Sequence, residues 1–271
     1  MLRLGVIGHP SDWLIASDVK YSEAKSIFSM NLIDIDIQEL IDLIPTIKED
    51  LDPNKFSEKF DYNELNKAYK IYLALKKITE DYILDGLTVR CFDLLSTVQS
   101  TSCLAFALLN AEGIIATCEG DIPSLISMML VKKYVGSPSF QANPSKIEIE
   151  KNEIIFAHCT IPLNMCESFK FDTHYESGIG VGIKGEMKHD QVYIFRISND
   201  LTRYVLLKGK IDENLNLPNL CRTQIRITLD KTNSVNYFLT KPLGNHHLIF
   251  YSNNIKDLQA FLKNSGLKEI K

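Results

Sequence analysis

The pattern of apolar residues changes near residue 137, and this change constrains the fold more than any other feature of the sequence. Before it, short apolar runs alternate with amphipathic stretches, which is typical of strands and helices that alternate along the chain. The clearest helical stretch is residues 62–83, where apolar residues recur at helical spacing and lysines and glutamates fill the other face. This half predicts a mostly parallel sheet with helices on both faces.

The predicted elements give the chain two domains. In residues 1–136 we expect a Rossmann-like α/β domain, with strands at 2–7, 32–37, 86–91 and 114–118 and helices at 19–28, 62–83, 101–110 and from 121 onward. In residues 137–271 we expect an antiparallel β-rich domain, either a barrel or a sandwich, that ends in a helix at 255–264. Its strands are predicted at 146–153, 154–161, 178–183, 191–197, 204–211, 223–229, 235–239 and 247–251. Residues 51–60 are predicted as a polar loop.

Composition excludes several classes of protein. With 45% apolar residues and a net charge of −4, the chain has neither the composition of a disordered protein nor the basic stripe of a nucleic-acid binder. It has no apolar run of the roughly 20 residues that span a membrane, and its N-terminal run is too short for a signal peptide. We therefore expect a cytoplasmic protein without nucleic-acid or membrane partners.

The six cysteines are scattered and contain no Cys-x-x-Cys pair. We expect buried free thiols that behave as small apolar residues. A zinc site built from Cys159, Cys166 and the histidines His158 and His174 is not favoured, because the spacing matches no structural zinc pattern.

Polar residues at predicted strand ends are candidates for a site, because open α/β sheets bind ligands at the carboxyl ends of their strands. The first end leads to Trp13, the single tryptophan of the chain. Another carries Thr88 and Arg90 on one strand face, with Asp93 just beyond. An arginine in a buried strand needs a partner, which is either Asp93 or an oxygen of a ligand.

Two carboxylates, Glu119 and Asp121, flank a glycine between a predicted strand and the next helix. Asp121 fits the N-cap of that helix, and Pro123 suits its first turn. Glu119 has no comparable structural role, so the sequence favours a functional one.

Three histidines of the second half are candidate metal ligands. His158 lies in an apolar strand, where a lone histidine is more often a core residue with a hydrogen-bond partner. His246 and His247 precede an apolar run, and because neighbouring strand residues point to opposite faces, one imidazole faces inward and the other outward. From the residues alone, the structural and metal-binding interpretations both stay open.

Taken together, these motifs resemble the metal-binding half of the L-fucose and L-arabinose isomerases. The resemblance is carried by Glu119-Gly-Asp121 before an apolar helix, Gly136-Ser-Pro-Ser-Phe-Gln-Ala-Asn143, Ala157-His158 and Gly244-Asn-His-His247, in that order. It implies the second α/β domain and the C-terminal domain of that family. It also implies a homo-oligomeric enzyme that interconverts aldoses and ketoses through an enediol with a divalent cation, typically manganese.

The resemblance also implies roles for individual residues. Glu119 would bind the metal and transfer the proton, with Asp121 as a second catalytic residue. Asn143, His158 and His247 would complete the metal site, although the family has an acidic residue where Asn143 stands. A register shift of one residue would put His246 in the place of His247. Asp121 or Glu176 would then restore the missing charge or proton path. The expected substrate-binding residues are Trp13, Thr88, Arg90, Asp93, Glu176 and His246.

The chain is shorter than members of that family, which carry a further N-terminal α/β domain that helps a neighbouring subunit bind sugar. Either the short form is natural, a separate subunit supplies the domain, or the chain binds without catalysing. The leading hypothesis is a metal-dependent isomerase of a small sugar. The alternative is a non-catalytic sugar- or metal-binding relative, or one subunit of a split isomerase.

Overall fold

The computed structural model describes residues 1–232 and 234–270, which form two main β-sheets and the helices packed around them. The helices are α1 (Tyr21–Phe28), α2 (Ile37–Leu43), α3 (Tyr62–Asp81), α4 (Asp93–Thr97), α5 (Cys103–Ala111), α6 (Ile122–Tyr134), α7 (Asn236–Thr240) and α8 (Lys256–Asn264). The strands are β1 (Leu2–Ile7), β2 (Met30–Ile35), β3 (Gly86–Val89), β4 (Ile115–Thr117), β5 (Phe140–Glu148), β6 (Glu153–His158), β7 (Cys166–Asp172), β8 (Gly182–Met187), β9 (Gln191–Ile197), β10 (Arg203–Asn214), β11 (Thr223–Leu229), β12 (His247–Phe250) and β13 (Lys268–Glu269). Across the described residues, no helix combines the length and apolar composition that a membrane crossing requires.

The first four strands form a parallel sheet in the order β2-β1-β3-β4, as the alternating pattern predicts. Leu4 of β1 pairs with Gly86 of β3. Leu4 and Val6 pack into one apolar cluster with α1 and α6, whereas Ile7 and Leu87 pack into another with α3 and α5. Helices therefore cover both faces, and the carboxyl ends of the strands meet at one edge.

The second half forms a closed antiparallel barrel of six strands, so the barrel is the alternative that the chain adopts. The strand order is β11-β6-β5-β12-β9-β10, and pairing of β10 with β11 closes the ring. Strands β7 and β8 form a separate ribbon, β13 adds to β10, and α8 packs against α6. The barrel strands share fully buried apolar side chains: Phe140, Ile154, Phe156, Ile194, Ile211 and Ile225.

Residues 235–239, which were predicted as a strand, mostly form α7 instead. Five apolar-rich residues are too few for their periodicity to distinguish a helix from a strand. Packing decides the outcome, because the Phe238 ring lies 5.6 Å from the ring of Phe156, edge to face.

Two other predicted strands begin or end elsewhere. Residues 146–153 contain the end of β5 and a turn, in which Asn152 has a φ of 55° and its side-chain amide donates to the Leu229 carbonyl at 2.7 Å. Residues 178–181 form a turn rather than a strand, and Gly180 has a φ of 63°. A Cβ at Gly180 would lie 2.6 Å from Oγ1 of Thr101, so only glycine fits this close approach.

A buried ion pair joins the two sheets. Arg196 of β9 and Asp121 at the start of α6 are both fully buried, and Nη1 of Arg196 lies 2.9 Å from Oδ2 of Asp121. The guanidinium also donates to the Ser124 hydroxyl and to the backbone oxygens of His246 and Ala16, at 2.7–2.9 Å. These bonds satisfy a charge that would otherwise be costly to bury.

The same guanidinium explains why residue 244 is a glycine. A Cβ at Gly244 would lie only 2.2 Å from Nη2 of Arg196, so the chain before His246 must pass the guanidinium without a side chain. The sequence analysis did not single out Arg196. Arg196 could have been recognised from the sequence as the one charged residue in the apolar strand β9. The same reasoning, that a buried charge needs a partner, singled out Arg90.

Replacing Arg196 by methionine tests this ion pair. The substitution keeps an unbranched apolar stem but leaves Asp121 buried without its guanidinium partner, so the free energy of unfolding should fall by about 3–5 kcal/mol. The matched control is Arg226→Met, whose ion pair with Glu213 at 2.6 Å is partly exposed and whose loss should cost at most about 1 kcal/mol. Urea denaturation followed by circular dichroism measures both. Equal losses would contradict a structural role for the buried pair.

Candidate active site

Glu119 lies in a tight turn between the end of β4 and the start of α6. Its φ is 60°, in the left-handed region that side chains seldom adopt, and Gly120 follows with a φ of 61°. A Cβ at Gly120 would lie 2.6 Å from the His9 carbonyl oxygen, so this position needs glycine. Gln141 of β5 holds the preceding residue, because its side-chain oxygen accepts from the Cys118 amide at 2.8 Å. The turn keeps the Glu119 carboxylate buried between the sheet and the barrel.

Three side chains converge on this carboxylate. The indole nitrogen of Trp13 donates to Oε2 at 2.7 Å. The other oxygen, Oε1, faces Nε2 of His246 at 3.3 Å and Nε2 of His158 at 3.9 Å. The two imidazole rings are nearly perpendicular, with centroids 5.2 Å apart. Glu119 from the α/β half therefore meets two histidines from the barrel half.

Hydrogen bonds at Nδ1 fix the orientation of both imidazoles. Nδ1 of His246 donates to Oδ2 of Asp121 at 2.9 Å, since a carboxylate can only accept. Nδ1 of His158 lies 2.8 Å from the Thr160 hydroxyl. Both Nε2 atoms are thereby directed at Glu119. A histidine that donates its Nδ1 proton to a carboxylate and presents Nε2 is the arrangement found at many metal sites.

Buried charges control the protonation of this cluster. Burial alone would raise the pKa of Glu119, but the two imidazoles that face its carboxylate, His158 and the positively charged His246, outweigh it and lower that pKa. Burial also opposes ionisation of Asp121, yet Arg196 and His246 hold its pKa below the ordinary value. Burial disfavours a charged His246, but Asp121 and Glu119 raise its pKa to about 9. Burial lowers the pKa of His158, which is therefore neutral at neutral pH.

The donor set fits a divalent cation. Nε2 of His246 is buried and, within the part of the chain that the structure describes, makes no hydrogen bond, although Oε1 of Glu119 lies 3.3 Å away. Glu119 and Asp121 stabilise a second proton on the His246 imidazole. A bound metal ion could supply the same positive charge in its place. One carboxylate oxygen and two imidazole nitrogens are suitable ligands for a divalent transition metal. The residues that could hold the ion are Glu119, His158 and His246.

His247, which the sequence analysis assigned to the metal, lies elsewhere. It is the first residue of β12 and is fully buried, with Nε2 2.9 Å from the Tyr237 hydroxyl and its ring 5.0 Å from that of Phe238. Because β12 starts at His247, this side chain points into the aromatic packing of the barrel, while His246 points toward the α/β half. His246 thus occupies the place that the sequence assigned to His247.

Among the described residues, the side chains of Asn143 and Glu176 make no hydrogen bond to Glu119, His158 or His246. Asn143 lies on β5 opposite Ala157, and among the described residues its side chain makes no hydrogen bond. Glu176 is half-exposed on a loop, with Oε2 3.4 Å from Nε2 of His174. Burial and the nearby charge of Glu119 raise the pKa of Glu176. Glu176 is therefore a second titratable carboxyl that lies close enough to Glu119 for their charges to interact.

Trp13, Arg90 and Asp93 form one wall next to Glu119. The indole stacks on Phe92 with ring centroids 5.4 Å apart, and the Arg90 guanidinium lies 4.6 Å from the indole centroid. Nε of Arg90 lies 3.3 Å from the Asp93 carboxylate, so its predicted partner is confirmed. Trp13 remains 41% exposed and can offer its ring to a ligand.

Thr88 differs from its neighbours. It is fully buried within β3, and its hydroxyl donates to the Thr117 carbonyl at 3.3 Å. The sequence analysis expected a substrate contact there, because alternation along the strand put Thr88 on the same face as Arg90. The strand ends at Val89, however, so Arg90 reaches the edge of the sheet and Thr88 stays inside it.

Curated proteins with similar sequences carry names that fit a sugar isomerase. The chain is 25% identical over 233 residues to the sulfoquinovose isomerase of Priestia aryabhattai, covering 77% of this chain and 50% of that protein. It is 24% identical over 229 residues to the enzyme of the same name from Clostridium sp. (strain MSTE9), covering 77% and 51%. The corresponding values for Alkalicoccus urumqiensis are 21% over 231 residues, 80% and 52%. No family model matches the chain. The chain spans about half the length of these curated relatives, which are named as isomerases of a sugar.

Proposed function

We propose that the protein is a metal-dependent aldose–ketose isomerase that acts on a small sugar through an enediol. The observation that carries this proposal is the convergence of Oε1 of Glu119 with the Nε2 atoms of His158 and His246, of which the His246 nitrogen makes no hydrogen bond to any described residue. The names of the relatives support the reaction class. Sulfoquinovose, the sugar in those names, is therefore the first substrate to assay.

The cation would be held by Glu119, His158 and His246, and manganese, which the family resemblance implies, is the first ion to assay. When bound, a divalent cation polarises a carbonyl and stabilises the negative charge of an enediolate. The protein's own task is to move a proton between two adjacent carbons of the sugar. Glu119 is ionised and buried, so it is the group suited to take and return that proton. Trp13 holds its other oxygen in place.

Asp121 serves as a positioning residue and not as the base. Its carboxylate accepts from Arg196, from His246 and from the Ser124 amide, so its lone pairs are engaged. Glu176 is the better candidate for a second proton carrier. Its pKa is raised and its side chain is half-exposed, so it can carry a proton between the sugar oxygens and solvent.

A second function is favoured by Asn143. A neutral amide brings no negative charge to the cation and cannot act as a base, unlike the acidic residue that the resemblance places there. A chain that binds the metal and sugar without turnover, or that works as one subunit of a split isomerase, would tolerate this residue. The two functions differ in one observable, which is turnover by the purified chain.

Substitution of Glu119 by glutamine tests the catalytic role. The amide keeps the shape but cannot accept a proton from carbon, so kcat should fall by about 10²–10⁴-fold. Conversion to the ketose is measured on sulfoquinovose, pentoses and 6-deoxyhexoses with manganese present. The matched control is Glu150→Gln, an exposed carboxylate in the turn after β5, which should leave kcat unchanged. Wild-type turnover by the Glu119 variant would overturn the proposal, whereas metal and sugar binding without turnover in the wild type would favour the second function.

Metal affinity should rise with pH up to about 9. Below its pKa of about 9, His246 carries a proton that a cation must displace from Nε2, so each unit of pH gained strengthens binding by up to tenfold. Calorimetric titration with manganese at pH 6, 7, 8 and 9 measures the slope. An affinity that does not change with pH would exclude His246 as a ligand.

A further inference from the structure

The sulfur of Cys118 lies beside the proposed cation site and has no part in the mechanism above. Sγ of Cys118, a carboxylate oxygen of Glu119 and a ring nitrogen of His158 all lie within 4.8 Å of one another, and the three residues are buried. Bonds from a transition-metal ion to such atoms are about 2.0–2.3 Å long. One ion between them can therefore reach all three after small side-chain movements.

Charge balance gives the sulfur a reason to bind. Glu119 supplies one negative charge against the two positive charges of the cation, and both imidazoles are neutral when they act as ligands. The charge of Asp121 is already balanced by Arg196 at 2.9 Å. Asn143 is uncharged. Cys118, whose sulfur lies within 4.8 Å of the Glu119 and His158 ligand atoms, can supply a second negative charge as a thiolate.

The surrounding structure holds this sulfur in place. Gln141 accepts from the Cys118 amide at 2.8 Å, which fixes the backbone of the residue. Sγ of Cys91, at the end of β3, lies 3.1 Å from Sγ of Cys118, and both side chains are buried. Either thiol can be the donor in this contact. Once Cys118 binds a metal as a thiolate, the Cys91 thiol becomes the donor, and such hydrogen bonds to ligands orient them and tune their affinity for metal.

We propose that Cys118 is a further ligand of the same cation, in addition to Glu119, His158 and His246, and that the site therefore prefers zinc(II) or cobalt(II) to manganese(II). The proposal rests on the proposed function, from which it takes the cation site. On binding, the sulfur–hydrogen bond is replaced by a sulfur–metal bond, and the proton leaves to solvent. Thiolate sulfur favours zinc-like ions, whereas manganese favours oxygen ligands.

Cobalt(II) is the probe that separates the alternatives, because its visible bands report binding and a sulfur-to-cobalt charge-transfer band in the near ultraviolet reports a thiolate ligand. The wild-type chain should show both. Cys118→Ser should keep the visible bands and lose the charge-transfer band. The preference for zinc over manganese should also fall by about tenfold or more in this variant, measured by competition titration.

Cys159→Ser is the matched control. Cys159 is also buried and follows His158 directly, but its sulfur faces Cys221 and Gly182, and among the described residues it does not belong to the group formed by Cys118, Glu119 and His158. This variant should keep both cobalt signals. Circular dichroism checks that each variant is folded. If Cys118→Ser does not fold, X-ray absorption of the zinc-loaded wild type gives the same answer, through a zinc–sulfur distance of about 2.3 Å.

Each failure has a distinct signature. Visible cobalt bands without a charge-transfer band in the wild type would exclude Cys118 as a ligand and leave the proposed isomerase site intact. Retention of the charge-transfer band by Cys118→Ser would also overturn the proposal. Absence of any cobalt or zinc binding by the wild type would overturn the cation site itself, and with it the proposed function.

Discussion

The carboxylate of Asp121 is the constraint on which the rest of this structure depends. It caps α6, pairs with Arg196 from the barrel and accepts the Nδ1 proton of His246. These three bonds fix the position of the helix, the approach of the barrel and the direction of an imidazole. Since both partners of the ion pair are fully buried, none of these positions can shift without exposing an unpaired charge.

The site that results is strained and charged, and the packing around it must offset that cost. A left-handed conformation at Glu119 costs about 1–3 kcal/mol, and such residues are typically found where function requires them. Gln141 and the bond from the Gly120 amide to the Val89 carbonyl hold the turn in this conformation. The apolar clusters on either side supply the stability. The geometry directs Glu119 at His158 and His246, the arrangement on which the proposed cation site depends.

Much of the fold was predictable, because it follows from periodicity. The alternating first half gave the parallel sheet, and α3 begins at the predicted residue, Tyr62. The stretch 235–239 was not predictable, since a five-residue segment takes its conformation from packing against the barrel. The cysteines are free, as expected, although Cys166 and Cys221 are only partly buried.

The residue types of the site were predictable from the sequence, but the register of strand β12, which decides where His246 and His247 point, was not. Glu119 stood out because a carboxylate after a buried strand had no capping role. His246 and His247 stood out as a pair, but their faces depend on the first residue of β12, and a shift of one residue exchanges them. Neither Arg196 nor Cys118 was singled out, because their importance comes from partners distant in sequence, Asp121 for one and His158 for the other.

The most direct test of this account is anomalous X-ray diffraction from a crystal grown with a divalent transition metal, measured at the absorption edge of that metal. The account predicts one strong peak between Oε1 of Glu119 and the Nε2 atoms of His158 and His246. A peak at His247 or on the protein surface, or no peak at a saturating concentration of the ion, would contradict it.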